Sequence, residues 1–172
     1  MTLFIESVRG LSRLCGIAAA LLVSAAALVV CQLVFVRYVL NESAVWQHEF
    51  VTYSLIASTF LGSPYLLLTR GHVNVDLLPM YLGGRSRFVL ALLAAAISLT
   101  FCVVIGWTAF LWWHEAWVND WHGETVWSPR LWIPYLAMPV GIGLLALQYV
   151  ADILALLTGR DAPFGLPEEG LP

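Results

Sequence analysis

Four long apolar stretches, over residues 14–36, 46–68, 88–113 and 131–157, constrain this chain more than any other feature. One crossing of a bilayer's hydrocarbon core takes about 20 mostly apolar residues in a helix. Each stretch meets that length. Of the 172 residues, 60% are hydrophobic and 11% charged, against about 45–50% and about 25% in an ordinary soluble domain. A soluble monomer of this size has no means of burying so much apolar surface. The expected fold is therefore an all-α integral membrane domain of four transmembrane helices, with short interfacial helices between them. A soluble enzyme, a disordered tail and a disulfide scaffold are excluded.

The first stretch follows Arg9 and Arg13, as a signal peptide would. It is longer than the roughly 7–15 residues of a signal h-region, which points to a retained span. Val30 is too large for the position before a lipoprotein cysteine at Cys31. The second stretch is the most polar, with His48, Glu49, Thr52, Ser58, Thr59 and Ser63. The fourth contains Pro134, tolerated near a helix start, and Pro139, deep enough to kink the helix or unwind its first turns. The three cysteines, Cys15, Cys31 and Cys102, lie inside apolar runs and read as small buried hydrophobes.

Arginines set the expected orientation. With the N-terminus in the cytoplasm, Arg9, Arg13, Arg70, Arg85, Arg87 and Arg160 fall inside and only Arg37 and Arg130 outside. Positive residues favour the cytoplasmic side, so both termini are expected there, with 158–172 as a cytoplasmic tail. The net charge of −3 gives no basic face for nucleic acid. All eight tryptophans then lie toward the outer end of the bundle. Trp113, Trp117 and Trp121 are spaced to share one face if the third helix continues past the bilayer. That face suits the outer headgroups or a docking partner.

Small-residue stripes mark expected packing seams, because they let helix backbones approach closely in lipid. Span one carries Gly16, Ala20, Ser24, Ala27 and Cys31; span three carries Ala91, Ala95, Ser98, Cys102 and Gly106. Span two adds a polar stripe of His48, Thr52, Thr59 and Ser63, and span four places Gln148 one turn from Asp152. These seams outnumber what four helices need among themselves and suit a part of a larger membrane assembly.

Little in the sequence suggests chemistry. His48, His72, His114 and His122 lie at span ends or in loops, not facing one another at depth as a bis-His haem requires. No cysteine pair, phosphate loop or Ser/His/Asp set is present. His114, Glu115, Asp120, His122 and Glu124 match no metal-ligand spacing and read as a solvated interfacial face. Glu49 sits about a turn below the outer end of span two. Three readings apply to it: a helix-start acid at the interface, a polar contact to another subunit involving Arg37 or a partner's arginine, and a proton relay. The chain is read as a non-enzyme with no catalytic residue, no cofactor site and no metal site of its own.

The segment Trp46-Gln47-His48-Glu49, the Phe60-Leu61-Gly62 that follows, and the exit Arg70-Gly71-His72-Val73-Asn74-Val75-Asp76 resemble the DctQ-like small membrane subunit of tripartite ATP-independent periplasmic (TRAP) transporters. In that family a Trp-x-x-Glu element opens the second helix and an Arg-Gly-x-His-x-x-Val-Asp-like element follows it. Here the second element is one residue tighter. Trp132-Ile133-Pro134-Tyr135 and Met138-Pro139-Val140-Gly141 are similar to the family's last helix. Many members carry a second acid where this chain has His48, so a role for paired acids does not carry over.

The resemblance implies a scaffold role beside a large membrane subunit that holds the substrate and sodium sites, in the bacterial inner membrane. A periplasmic substrate-binding protein delivers a small organic solute, often a carboxylate. It implies a subunit interface among Trp46, His48, Glu49, Arg70, His72 and Asp76. Trp113, Trp117 and Trp121 are the candidate outer docking or interfacial patch. Membrane lipids are expected partners, and sodium is expected on the large subunit, not here. Residues 73–82 alternate apolar and polar and are expected to lie on the inner surface. A stand-alone small transporter and a membrane redox subunit are the alternatives from other classes.

Overall fold

In a computed structural model the chain is described over residues 2–69 and 84–158. Five helices account for most of it: α1 (Thr2–Tyr38), α2 (Gln47–Leu68), α3 (Gly84–Val118), α4 (Trp132–Tyr135) and α5 (Ala137–Leu157). Among the described residues there are no strands, only one isolated antiparallel bridge between His122 and Arg130. Four helical segments are long and apolar enough to cross a membrane: Phe4–Tyr38, Gln47–Leu68, Ser86–Val118 and Trp132–Leu157, the last joining α4 to α5. The all-α membrane architecture expected from the sequence is thus the observed one.

α1 begins well before the apolar run does. Its 37 residues extend about 55 Å at 1.5 Å per residue, far beyond a hydrocarbon core of about 30 Å. The extra length is not idle. Ile5 and Val8 pack on Ala151 and Ala155 of α5, with Leu154 beside them. One turn further on, the Ser12 hydroxyl donates to Gln148 Oε1 at 2.9 Å, and Gln148 Nε2 donates to Asp152 Oδ1 at 2.9 Å. Gln148 is fully buried and Ser12 nearly so. A polar amide in a membrane core needs partners, and this one has them on both sides.

The helices do not form a closed ring. α1, α2 and α5 pack together, while α3 leans on α5 and α4 and has only marginal contact with α1 and α2. The α3 seam is the small-residue stripe: Ala91 and Cys102 are buried, Ala95, Ser98 and Gly106 half-buried. A Cβ on Gly106 would stand 3.3 Å from Ile142. The other sides of α3 present Val89, Leu93, Ile97, Phe101, Val104 and Leu111 outward.

The α1 stripe behaves differently. Gly16 does face α2, where a Cβ would clash with Tyr65 at 2.5 Å. Ala20, Ser24, Ala27 and Cys31 are exposed, and the buried positions are Ile5, Val8, Ser12, Ala19 and Ala26. The polar stripe of α2 is likewise outward: His48, Thr52 and Thr59 are exposed, and the buried polar positions are Gln47, Ser54 and Ser58. The expected seams of spans one and two therefore lie one helix flank away from the real ones. Of the cysteines, only Cys102 is buried; Cys15 is intermediate and Cys31 exposed.

Two prolines shape the bundle. Pro139 has no N–H for the Tyr135 carbonyl, and the regular helix is interrupted at Leu136 between α4 and α5. The backbone keeps helical dihedrals at this break (Leu136 φ −58°, ψ −31°), so the chain does not unwind there. Pro64, buried inside α2, likewise gives no donor to the Phe60 carbonyl. Gly141 of α5 sits against that carbonyl so closely that a Cβ there would lie 2.4 Å from Phe60 O. Only a glycine lets the α5 backbone approach at that level.

Candidate functional site

The end of the bundle where α2 begins and α3 ends holds the richest set of interactions. α3 stops at Val118 because the chain turns: Asp120 takes φ 44°, and the Trp121 amide donates back to Ala116 O at 3.1 Å. From there the chain makes a short hairpin. Leu131 N–H donates to Trp121 O and Gly123 N–H to Pro129 O, both at 2.9 Å, and Ser128 N–H closes the tip on Thr125 O at 3.0 Å. Ser128 also has positive φ, 44°.

The hairpin tip rests on the start of α2. The Thr125 hydroxyl donates to Glu49 Oε1. Glu49 Oε2 is buried without a hydrogen-bond partner, close to Gly123, where a Cβ would come within 3.6 Å of it. The Trp46 and Trp127 rings are 6.4 Å apart, and Trp46 meets Phe50 edge-on at 6.0 Å. Trp46 and Glu49, three residues apart, thus hold the hairpin from one face of α2. His48 lies on another face. With Arg37, Asn41, Glu42, Ser43 and Ala44 it lines an open cleft of about 460 Å³ between the C-terminal end of α1 and the N-terminal end of α2. Asn41, at φ 55°, makes the turn out of α1, a conformation asparagine tolerates better than most residues.

Of the candidate interface residues, the structure brings Trp46 and Glu49 together at the hairpin and sets His48 apart at the cleft. Arg70, His72 and Asp76, like residues 73–82, lie outside the described residues. Arg160 and the rest of the tail from 159 lie outside them too.

The tryptophan patch divides in two. Trp113 and Trp117 lie 5.7 Å apart, and Trp117 meets Trp132 edge-on at 4.5 Å. Trp113 Nε1 donates to Trp132 O at 3.2 Å, so these rings fasten α3 to α4. Trp121 does not join them. Because α3 ends at Val118, Trp121 packs instead on Trp112, edge-on at 6.3 Å. Nearby, Arg130 and Asp120 approach at 4.0 Å with side chains 60% and 59% exposed, a pair of little energetic weight. The His122 Nδ1–H donates to Asp120 O at 2.6 Å.

Sequence reasoning missed Thr125, Gly123, Pro64 and Gly141. Gly123 and Ser128-Pro129 bracket the hairpin, and such Gly and Ser-Pro signals mark turns. A hairpin over 121–131 was legible in that sense. Which acid it lands on was not.

The fold defines a multi-helix membrane protein in which a hairpin caps the start of α2. A family model described as "Tripartite ATP-independent periplasmic transporters, DctQ component" matches residues 26–159, most of the chain. The chain belongs to that family. It is also similar to the C4-dicarboxylate TRAP transporter small permease protein DctQ of Vibrio cholerae serotype O1, at 25% identity over 148 residues. That match covers 74% of this chain, and the chain spans 64% of the Vibrio protein.

Proposed function

We propose that this chain is the small membrane subunit of a sodium-coupled TRAP transporter. In this reading it works as a scaffold for a large membrane subunit that carries the solute and the ion. A periplasmic binding protein supplies the solute, a small organic carboxylate such as the C4-dicarboxylate in the Vibrio relative's name. The observation that carries the reading is the family match over residues 26–159. Two physical features agree with it. The bundle is open, with α3 held mainly by α5 and α4. Its polar groups at depth, Ser12, Gln148 and Asp152, bond to one another, which is how a structural seam is built.

The proposed orientation places the hairpin and the Trp46–Glu49 contact in the periplasm and both termini in the cytoplasm, as the arginine distribution favours. No catalytic role and no bound ion are proposed for this chain. The test is co-purification. A tag on this chain is expected to retain a large multi-span membrane protein, encoded beside it, in mild detergent. Recovery of this chain alone from membranes that contain the large protein would contradict the proposal.

A further inference from the structure

We infer that the bundle sits obliquely in the bilayer, at a tilt of roughly 45°. The band of lipid that crosses α3 is displaced by about 20 Å along the bundle from the band that crosses α1. The partner of this surface is the lipid bilayer itself, and the inference holds whichever side the termini face.

Contacts through α5 fix the levels of α1 and α3. Ser12 of α1 bonds to Gln148, and Gly106 of α3 faces Ile142, six residues earlier in α5. α3 runs antiparallel to α5, so Ser12 is level with Thr100. At the other end of α3, Trp117 meets Trp132, sixteen residues before Gln148 and therefore level with Leu28 of α1. Both ends give the same relation. Ser12 precedes the apolar run of α1, 14–36, whereas Thr100 is the middle of the α3 run, 88–113. Leu28 lies near the middle of the first run, whereas Trp117 lies beyond the end of the second. The two runs are displaced by about thirteen residues, about 20 Å. α2 sides with α1, because Gly16 against Tyr65 puts Ser12 level with the α2 C-cap, Thr69.

An upright bundle does not serve both runs. With the bilayer centred on α1, the exposed Glu115 of α3 stands level with Ala27, in the middle of the hydrocarbon. With the bilayer centred on α3, the exposed Arg13 of α1 stands level with Phe101, again in the middle. A charged side chain at that depth is costly, and a tilt removes both from it.

The size of the tilt follows from two separate lengths. α1 packs on Gln148, Ala151 and Ala155 of α5, and α3 on Ile142 and Ala146, a different side of the same helix. Two helix contacts of about 8–10 Å each separate α1 from α3 by about 18 Å, so an offset of about 20 Å is a slope of roughly 45°. The α3 run alone, at about 1.5 Å per residue, measures about 39 Å, which fills a hydrocarbon core of about 30 Å at roughly 40°. At that tilt Trp112, Trp113 and Trp117 fall near one interface, where tryptophan is favoured, and Arg13 falls near the other. The exposed apolar residues agree: Leu28 and Ile97, far apart along the bundle, are 72% and 70% exposed, and both become lipid-facing at depth.

The test uses the full chain in liposomes, with its three native cysteines replaced and single spin labels at Leu11, Ile97, Leu28 or Trp117, all exposed. Depth is read from the ratio of collisions with oxygen to collisions with a water-soluble nickel chelate. Leu11 and Ile97 are nearly level along the bundle, and so are Leu28 and Trp117. Ile97 and Leu28 are expected to be deep, with ratios several-fold above those of Leu11 and Trp117. Equal ratios within each pair would overturn the oblique placement. A second readout is the amount of chain in cell membranes. Leu11→Arg is expected to leave it near the wild-type level and Ile97→Arg to lower it several-fold. Equal losses, or a larger loss from Leu11→Arg, would likewise overturn it.

Discussion

Glu49 has two carboxylate oxygens in unequal surroundings. One accepts the Thr125 hydroxyl; the other is buried beside Gly123 without a partner. A charge-assisted hydrogen bond is worth about 1.5–3 kcal/mol, whereas the exposed Asp120–Arg130 pair is worth about 1 kcal/mol or less. Glu49→Ala is therefore expected to lower the melting temperature of the detergent-solubilised chain more than Asp120→Ala. It is also expected to raise amide exchange across 121–131; equal, small effects of the two variants would remove the hairpin contact from the account. At the other end of the bundle, Gln148→Leu strands the Ser12 hydroxyl and breaks the Asp152 contact. An expected loss of about 1–3 kcal/mol is readable in the same unfolding assay, and unchanged stability would contradict it. Sequence alone singled out Glu49, Gln148 and Asp152, because a polar group in an apolar run stands out. It did not reveal Thr125 or Ser12, 76 and 136 residues away from their partners, since sequence distance carries no record of which loop folds back on which helix.

At the scale of elements, the four spans were legible because length and apolarity alone decide them. The flank on which each helix packs was legible only in part. In α3 the small-residue stripe is the seam, because α5 is its main neighbour and close approach there needs small residues. In α1 and α2 the small and polar stripes lie outward, because the seam is built from other small or polar residues: Ala19, Ala26, Ser54 and Ser58. A stripe tells where a helix can be approached, not by which chain. The α2–α5 contact gives a sharp prediction. Gly141→Ala places a methyl against the Phe60 carbonyl and is expected to cost about 1–3 kcal/mol by overpacking. Gly143→Ala, with nothing within 4 Å of the new Cβ, is expected to be neutral or slightly stabilising. A thermal unfolding comparison of the two decides it, and equal effects would mean that the two helices are not in close backbone contact.

For the whole molecule, the open packing and the family match agree with the proposed supporting role. Topology is checked by labelling single cysteines at Ser7 and Asn119 in a background lacking the native three. Ser7 is expected to be reachable only from the cytoplasm and Asn119 only from the periplasm, and the reverse pattern would invert the orientation. The most direct test of the supporting role is sodium-driven uptake of an organic carboxylate into liposomes holding the large subunit, with the binding protein outside. Uptake is expected only when this chain is present, and this chain alone is expected to move no solute. Uptake by the large subunit without it, or by this chain on its own, would contradict the account.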